Sequence, residues 1–130
     1  MALESWTLRE IEYQREGRLE HPITDELAAH GRVAERVSAL AKLKLLCAHG
    51  WPSATSSLKI DKVADGLFVL KCKPGCWRIY FHMIADEKAF LLLHAVCKKT
   101  RKRNPHDPDK ASRRLADYQR GTARAAKVAF

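Results

Sequence analysis

Cations able to hold a phosphate gather in two stretches of this chain. Residues 98–103 supply five of them, Lys98, Lys99, Arg101, Lys102 and Arg103, directly after an apolar run that begins at Phe90. Further back, residues 67–73 and 76–84 flank the turn dipeptide Pro74-Gly75. Alternation along those two segments puts Lys71, Lys73, Arg78, Tyr80 and His82 on one side of a hairpin. If Pro74 and Gly75 are the two central turn residues, Lys71 stands across from Arg78 and Val69 across from Tyr80; a longer bulged loop would shift that pairing, because Pro-Gly favours a turn whose twist suits a tight hairpin poorly. Cations fixed on a rigid scaffold suit a polyanion. An arginine fork binds phosphate oxygens bidentately, and a lysine adds a point charge. The imbalance is local: residues 98–130 hold 11 Lys/Arg against 3 Asp/Glu, and so carry +8 of the whole-chain +9. Nucleic acid is the first partner this implies.

The elements that must position these residues are legible in outline. Residues 5–13 mix aromatic and β-branched side chains with charges and read as a first strand. Pro22 and Thr24 announce a helix, and apolar residues recur at helical spacing from Leu27 to Cys47, with Gly31 dividing a short helix from a long one that stops at Gly50 and Pro52. Residues 52–66 have loop composition. In the hairpin Phe68, Leu70, Cys72, Trp77, Ile79, Phe81 and Met83 form the apolar face, which makes Trp77, Phe68 and Phe81 core residues. Residues 88–97, apolar on both faces apart from His94, fit a central strand, where His94 reads as a hydrogen-bonded core histidine. Asn104 with Pro105, or Asp107 with Pro108, starts a final helix bearing Lys110, Arg113, Arg114 and Arg120 and stopping at Gly121. Residues 121–130 read as packing or a flexible tail.

At 130 residues, 46% of them hydrophobic and 30% charged, the chain fits one domain, residues 1–130, with its own core. No apolar run reaches the roughly 20 residues of a membrane helix, and the first residues lack the pattern of a secretory signal. The expectation is a cytoplasmic protein without membrane partner, whose four cysteines, Cys47, Cys72, Cys76 and Cys97, are reduced thiols. Their spacing is not that of a zinc finger or ribbon. A metal site drawn from Cys72, Cys76, His82, His94 and Cys97 is conceivable but disfavoured, since alternation puts Cys72 on the apolar face and Cys76 on the polar one. No metal and no cofactor are expected.

With those elements in order, residues 65–81, DGLFVLKCKPGCWRIYF, and 91–105, LLLHAVCKKTRKRNP, resemble the RelE/ParE superfamily of bacterial toxins, in its phage-derived, HigB-like branch. The resemblance covers roughly residues 33–120, and its second half carries the specificity. It implies an α+β fold, RelE-like: an antiparallel-rich sheet of an N-terminal strand plus a three-stranded meander, N-terminal helices packed on one face, and a C-terminal basic helix. It also implies the toxin of a type II toxin–antitoxin system, an endoribonuclease that cuts mRNA in the ribosomal A site without a metal and is neutralised by a cognate antitoxin. In that chemistry the ribose 2′-hydroxyl attacks the adjacent phosphate, which calls for a base, cations beside the phosphorane and a proton for the leaving oxygen.

By position, Arg78 matches the arginine that holds the scissile phosphate and Lys71 a strand lysine that acts as base in some members. Lys99 and Arg101 match the cationic strand end where members place transition-state contacts. Lys73, Tyr80, His82, Lys98, Lys102, Arg103, Arg113 and Arg114 are the expected RNA or ribosome contacts. Val69 stands where RelE has a second active-site lysine, and no tyrosine closely follows the basic cluster, so the general acid is open between Tyr80 and His82. A ParE-like toxin that binds DNA gyrase fits these departures, and a third function, from outside the toxins, is a harmless phage-derived or chromosomal protein that binds nucleic acid through its basic helix. Lys71 and Lys73 also suit plain solvent-facing positions, and residues 98–103 a solvated charge run.

Overall fold

A computed structural model describes residues 6–29, 32–51, 53–72, 75–98 and 106–128. Among them, seven strands build one sheet: β1 (Thr7–Arg15), β2 (Arg18–Glu20), β3 (Lys59–Ala64), β4 (Leu67–Lys71), β5 (Trp77–Ile84), β6 (Ala89–Cys97) and β7 (Arg124–Lys127). Their order is β2-β1-β6-β5-β4-β3, with β7 also paired to β1. The β1–β6 pair is parallel and every other pair antiparallel. The helices are α1 (Pro22–Ala29), α2 (Val33–His49), α3 (Ala54–Ser57) and α4 (His106–Gln119). This is the mixed, largely antiparallel α+β architecture of a RelE-like fold.

Alternation sorts the central strands into two faces, and different helices cover them. Phe68, Phe81 and Phe90 lie on the α2 side: Trp51, just beyond α2, packs its ring 4.8 Å from that of Phe68, and Trp6 stacks on Phe90 at 4.7 Å. Trp6 is held there by its own N–H, which donates to the Cys47 carbonyl of α2 at 3.0 Å. Trp77, Phe81, Phe90, Leu70 and Ile79 are fully buried, and burial of such side chains is worth roughly 1.5–3 kcal/mol each. Gly50 ends α2 at φ +69°, and a Cβ there would lie 2.8 Å from the Trp6 ring, so glycine serves both the helix stop and the close approach. On the opposite face α4 closes over β5 and β6. Its Asp117 accepts a hydrogen bond from the Tyr13 hydroxyl at 2.6 Å, and its Tyr118 ring stands 6.4 Å from His82. The short helix α1 flanks β6 where β1 has peeled away; there the Ala95 N–H, past the end of the β1 ladder at Leu92, donates to the Glu26 carboxylate at 3.0 Å.

Two stretches read as loop or tail are strands. β3 occupies residues expected to be irregular, and β7 lies inside the expected flexible tail. Neither shows apolar alternation, because β3 is an edge strand exposed over nearly its whole length and β7 joins the sheet through its backbone beside β1. α4 begins at His106; Asn104 and Pro105, the first of the two proposed starts, fall outside the described residues.

Candidate functional site

The hairpin register decides which cations meet. The Cys72 N–H donates to the Trp77 carbonyl at 3.0 Å, next to the last residue pair of the β4–β5 ladder. Lys71, the last residue of β4, therefore faces Arg78, and Val69 faces Tyr80, as the centred turn predicts. Because β3 continues the sheet, Lys59 faces Lys71 from the other side. Lys59, Lys71 and Arg78 thus form a cross-strand row at one level, with neighbouring strands about 4.8 Å apart. Like charges directly opposite each other destabilise a sheet unless something answers them. Asp61 answers Lys71, its carboxylate 2.5 Å from the amine. The half-buried Arg78 guanidinium has no hydrogen bond or ion pair among the described residues. The sequence reading missed Lys59 because it lies in β3; only the pairing with β4 brings it into the row.

One layer inward, the same face holds a cluster whose charges are matched internally. His94, 5% exposed, points one ring nitrogen at Glu26 (3.0 Å) and the other at Asp107 (2.9 Å). Arg114 donates to both oxygens of Glu26 and to the Leu93 carbonyl, and Lys98 lies 3.7 Å from Asp107. Burial pushes the Glu26 carboxyl up, but the hydrogen bond and charge of His94, the Ala95 N–H and the Arg114 guanidinium outweigh it and hold Glu26 below its ordinary value of 4.5. The core role expected of His94 is its role here. Tyr80, its cross-strand partner, stacks on it at 5.8 Å and is buried at 5% exposure.

Of the expected RNA contacts, then, Tyr80, Lys98 and Arg114 sit within or beside this buried cluster. His82 bonds through Nδ1 to the Gly66 carbonyl at 2.6 Å, so that nitrogen carries the proton; it stands four residues from Arg78, about 13 Å along the strand, and is not brought to the cation row. Arg113 is exposed and, with Tyr13, Arg15, Lys110 and Asp117, lines a hollow of 320 Å³. Lys73, Lys99, Arg101, Lys102 and Arg103 lie outside the described residues.

The cysteines require a correction. Cys76 and Cys97 form a disulfide with their Cα atoms 4.7 Å apart, where four reduced thiols were expected. The Lys98 N–H donates to the Cys76 carbonyl at 2.7 Å, and this strand-end pairing brings the two together across 21 residues of sequence. Cys76 also leans toward α2, its sulfur 3.3 Å from Glu35, instead of projecting on the polar face. Cys47 and Cys72 are free, and burial pushes both thiols up to about 11. The five-residue metal set does not assemble; among the described residues the group with metal-ligand proximity is Glu35, Cys76 and Cys97.

The family model described as phage derived protein Gp49-like (DUF891) matches residues 32–116, from the cap of α2 well into α4. The chain belongs to that family. Gp49-like proteins are a family of toxin–antitoxin toxins within the RelE superfamily, so an antitoxin partner goes with the family in general. The matched span holds Lys59, Lys71, Arg78 and the His94 cluster, whereas β1, β2 and α1 precede it. No curated protein matches this Gp49-like chain. Among its described residues no helix is long and apolar enough to cross a membrane.

Proposed function

We propose that this Gp49-like protein is a HigB-like toxin that cuts messenger RNA in the ribosomal A site by metal-free attack of a ribose 2′-hydroxyl on the adjacent phosphate. The observation that carries this reading is the cross-strand row of Lys59, Lys71 and Arg78, in which the Arg78 guanidinium has no partner among the described residues. A dianionic phosphorane seated over that row answers the like charges that the fold leaves side by side. Arg78 holds the scissile phosphate. Lys71 supplies either the base, once RNA displaces Asp61, or a second cation. Lys99 and Arg101, which follow β6 in the sequence, add cations for the transition state, with Lys73, Lys102 and Arg103 as contacts to the RNA backbone. Of the two candidates for the general acid, Tyr80 is buried and His82 stands about 13 Å along the strand from Arg78, so the role is assigned to neither. The bound antitoxin presents an acidic surface to this row.

Inducible expression with mapping of transcript 5′ ends tests the proposal. New ends within coding sequence, lost in Arg78→Ala at equal protein level, are expected; unchanged cutting by that variant overturns the assignment.

A second reading is favoured by Val69, which is 6% exposed where RelE carries a lysine. A toxin with one fewer active-site cation can act by binding alone, as ParE-like toxins do on gyrase. Inhibition of supercoiling by purified protein, without transcript cleavage, would select that reading.

A further inference from the structure

We infer that Cys76, Cys97 and Glu35 form a redox-gated site that takes a thiophilic divalent cation, zinc by its chemistry, when the disulfide is reduced. Two strand ends and one helix start converge there. Cys97 closes β6, Cys76 immediately precedes β5, and Glu35 lies in the first turn of α2. The donor atoms of all three lie within 4.8 Å of one another. Two sulfurs and one carboxylate oxygen match the donor types zinc prefers, and three protein ligands with a fourth position open are a familiar zinc arrangement.

The position of the Glu35 carboxylate argues for a state beyond the disulfide. Its Oε2 approaches the Cys76 sulfur at 3.3 Å. A bridged sulfur has neither a proton to donate nor a positive charge, so the carboxylate gains nothing from it. Facing a thiol it accepts a hydrogen bond, and facing two thiolates it completes a cation cage. The same oxygen accepts the Arg32 N–H at 3.2 Å at the head of α2, so the helix cap fixes the carboxylate before any ligand arrives. Cys97 is partly exposed, within reach of solvent thiols and ions, and Cys76 lies beneath it immediately before β5.

The steps balance with a small thiol such as glutathione as reductant. Two glutathione molecules give up two electrons to the Cys76–Cys97 bond and become glutathione disulfide, while each protein sulfur takes one proton. Metal binding then expels those two protons as the thiols become thiolates. Bonds of about 2.3 Å in tetrahedral geometry set the sulfurs about 3.8 Å apart, too far for a covalent bridge. Metal and disulfide therefore exclude each other. No step of RNA cleavage passes through this cation; it grips the strand ends next to Arg78 and Lys98.

The full-length chain, reduced with a phosphine and titrated with Co²⁺ as a spectroscopic probe, tests this. The expected result is one equivalent bound, with sulfur-to-cobalt charge-transfer absorption and tetrahedral visible bands, displaced by Zn²⁺ and abolished by prior oxidation with glutathione disulfide. Cys76→Ser and Cys97→Ser should each lose the charge-transfer bands. Glu35→Gln, which keeps an oxygen for the helix cap, should bind at least about tenfold more weakly and still form the disulfide. The double variant Cys47→Ser/Cys72→Ser should bind as wild type does. The inference fails if the reduced chain binds no more cobalt than Cys97→Ser, if oxidation leaves binding intact, or if Glu35→Gln binds as tightly as wild type.

Discussion

Around His94, Arg114 and Lys98 each face a carboxylate, while across the neighbouring strands β5, β4 and β3 the side chains of Arg78, Lys71 and Lys59 stand in a row beside Asp61 as their one acidic partner among the described residues. Both groups lie on the sheet face that α4 covers in part. The first is buried, and burial forces every charge to be matched, because an unpaired ion inside costs several kcal/mol. The second lies at the sheet's open end, where water and counterions tolerate a surplus. Cation count alone thus separates structure from function poorly; the number of carboxylates folded against each cation separates them well.

Breaking the open row should have the largest effect. Arg78→Ala is expected to lower transcript cleavage about 10²–10³-fold while thermal melting stays nearly unchanged, and primer extension on induced cells measures the first quantity. Breaking the closed cluster should do the reverse. Glu26→Ala leaves His94, Arg114 and the Ala95 N–H without their shared acceptor, and urea unfolding should report a loss of about 3 kcal/mol. A cleavage defect in Glu26→Ala with unaltered stability would erase the contrast between the two groups.

The contrast sharpens with pH. A carboxyl held below its ordinary 4.5 stabilises the fold fully above that value, and the contribution disappears as pH falls through the lowered folded value. Asp117, held low by the Tyr13 hydroxyl against the opposing pull of burial and helped by Arg120, acts in the same direction. The urea midpoint should therefore drop as pH falls below the ordinary carboxyl values of 4.5 for Glu26 and 3.8 for Asp117, and Glu26→Gln should flatten that drop. Smaller again is Lys59→Ala, expected to weaken RNA binding severalfold and to reduce the slope of log affinity against log salt by about one. Smallest is Asp61→Asn. The exposed pair it breaks is worth at most about 1 kcal/mol, so stability should hardly change, while RNA affinity rises as Lys71 loses its competitor.

Much of this was legible without coordinates. The hairpin register, the faces of β4 and β5, the stops at Gly50 and Gly121 and the core role of His94 all follow from neighbours within a few residues, since side-chain alternation and turn chemistry are local. β3 and β7 were not legible. An edge strand needs only backbone partners, and KIDKVA and RAAK carry no apolar stripe to declare them. Lys59 was lost with β3. Tyr80 and Arg114 looked like contact residues because alternation and helix position give a side but not what packs on that side; α1 and α4 supplied the cover. The disulfide was hidden for the same reason, as Cys76 and Cys97 stand at the two outer ends of the β5–β6 hairpin and meet only when those strands pair.

By itself the sequence determined where positive charge is concentrated, which segments alternate, and hence that Lys71 and Arg78 share a face, because those properties depend on residue type and spacing along a short stretch. Tertiary structure alone decided which cations keep their charge for a ligand. That outcome depends on which carboxylate arrives from a distant element, and Glu26, Asp61 and Asp107 reach their partners only through the folding of α1, β3 and α4 against the sheet.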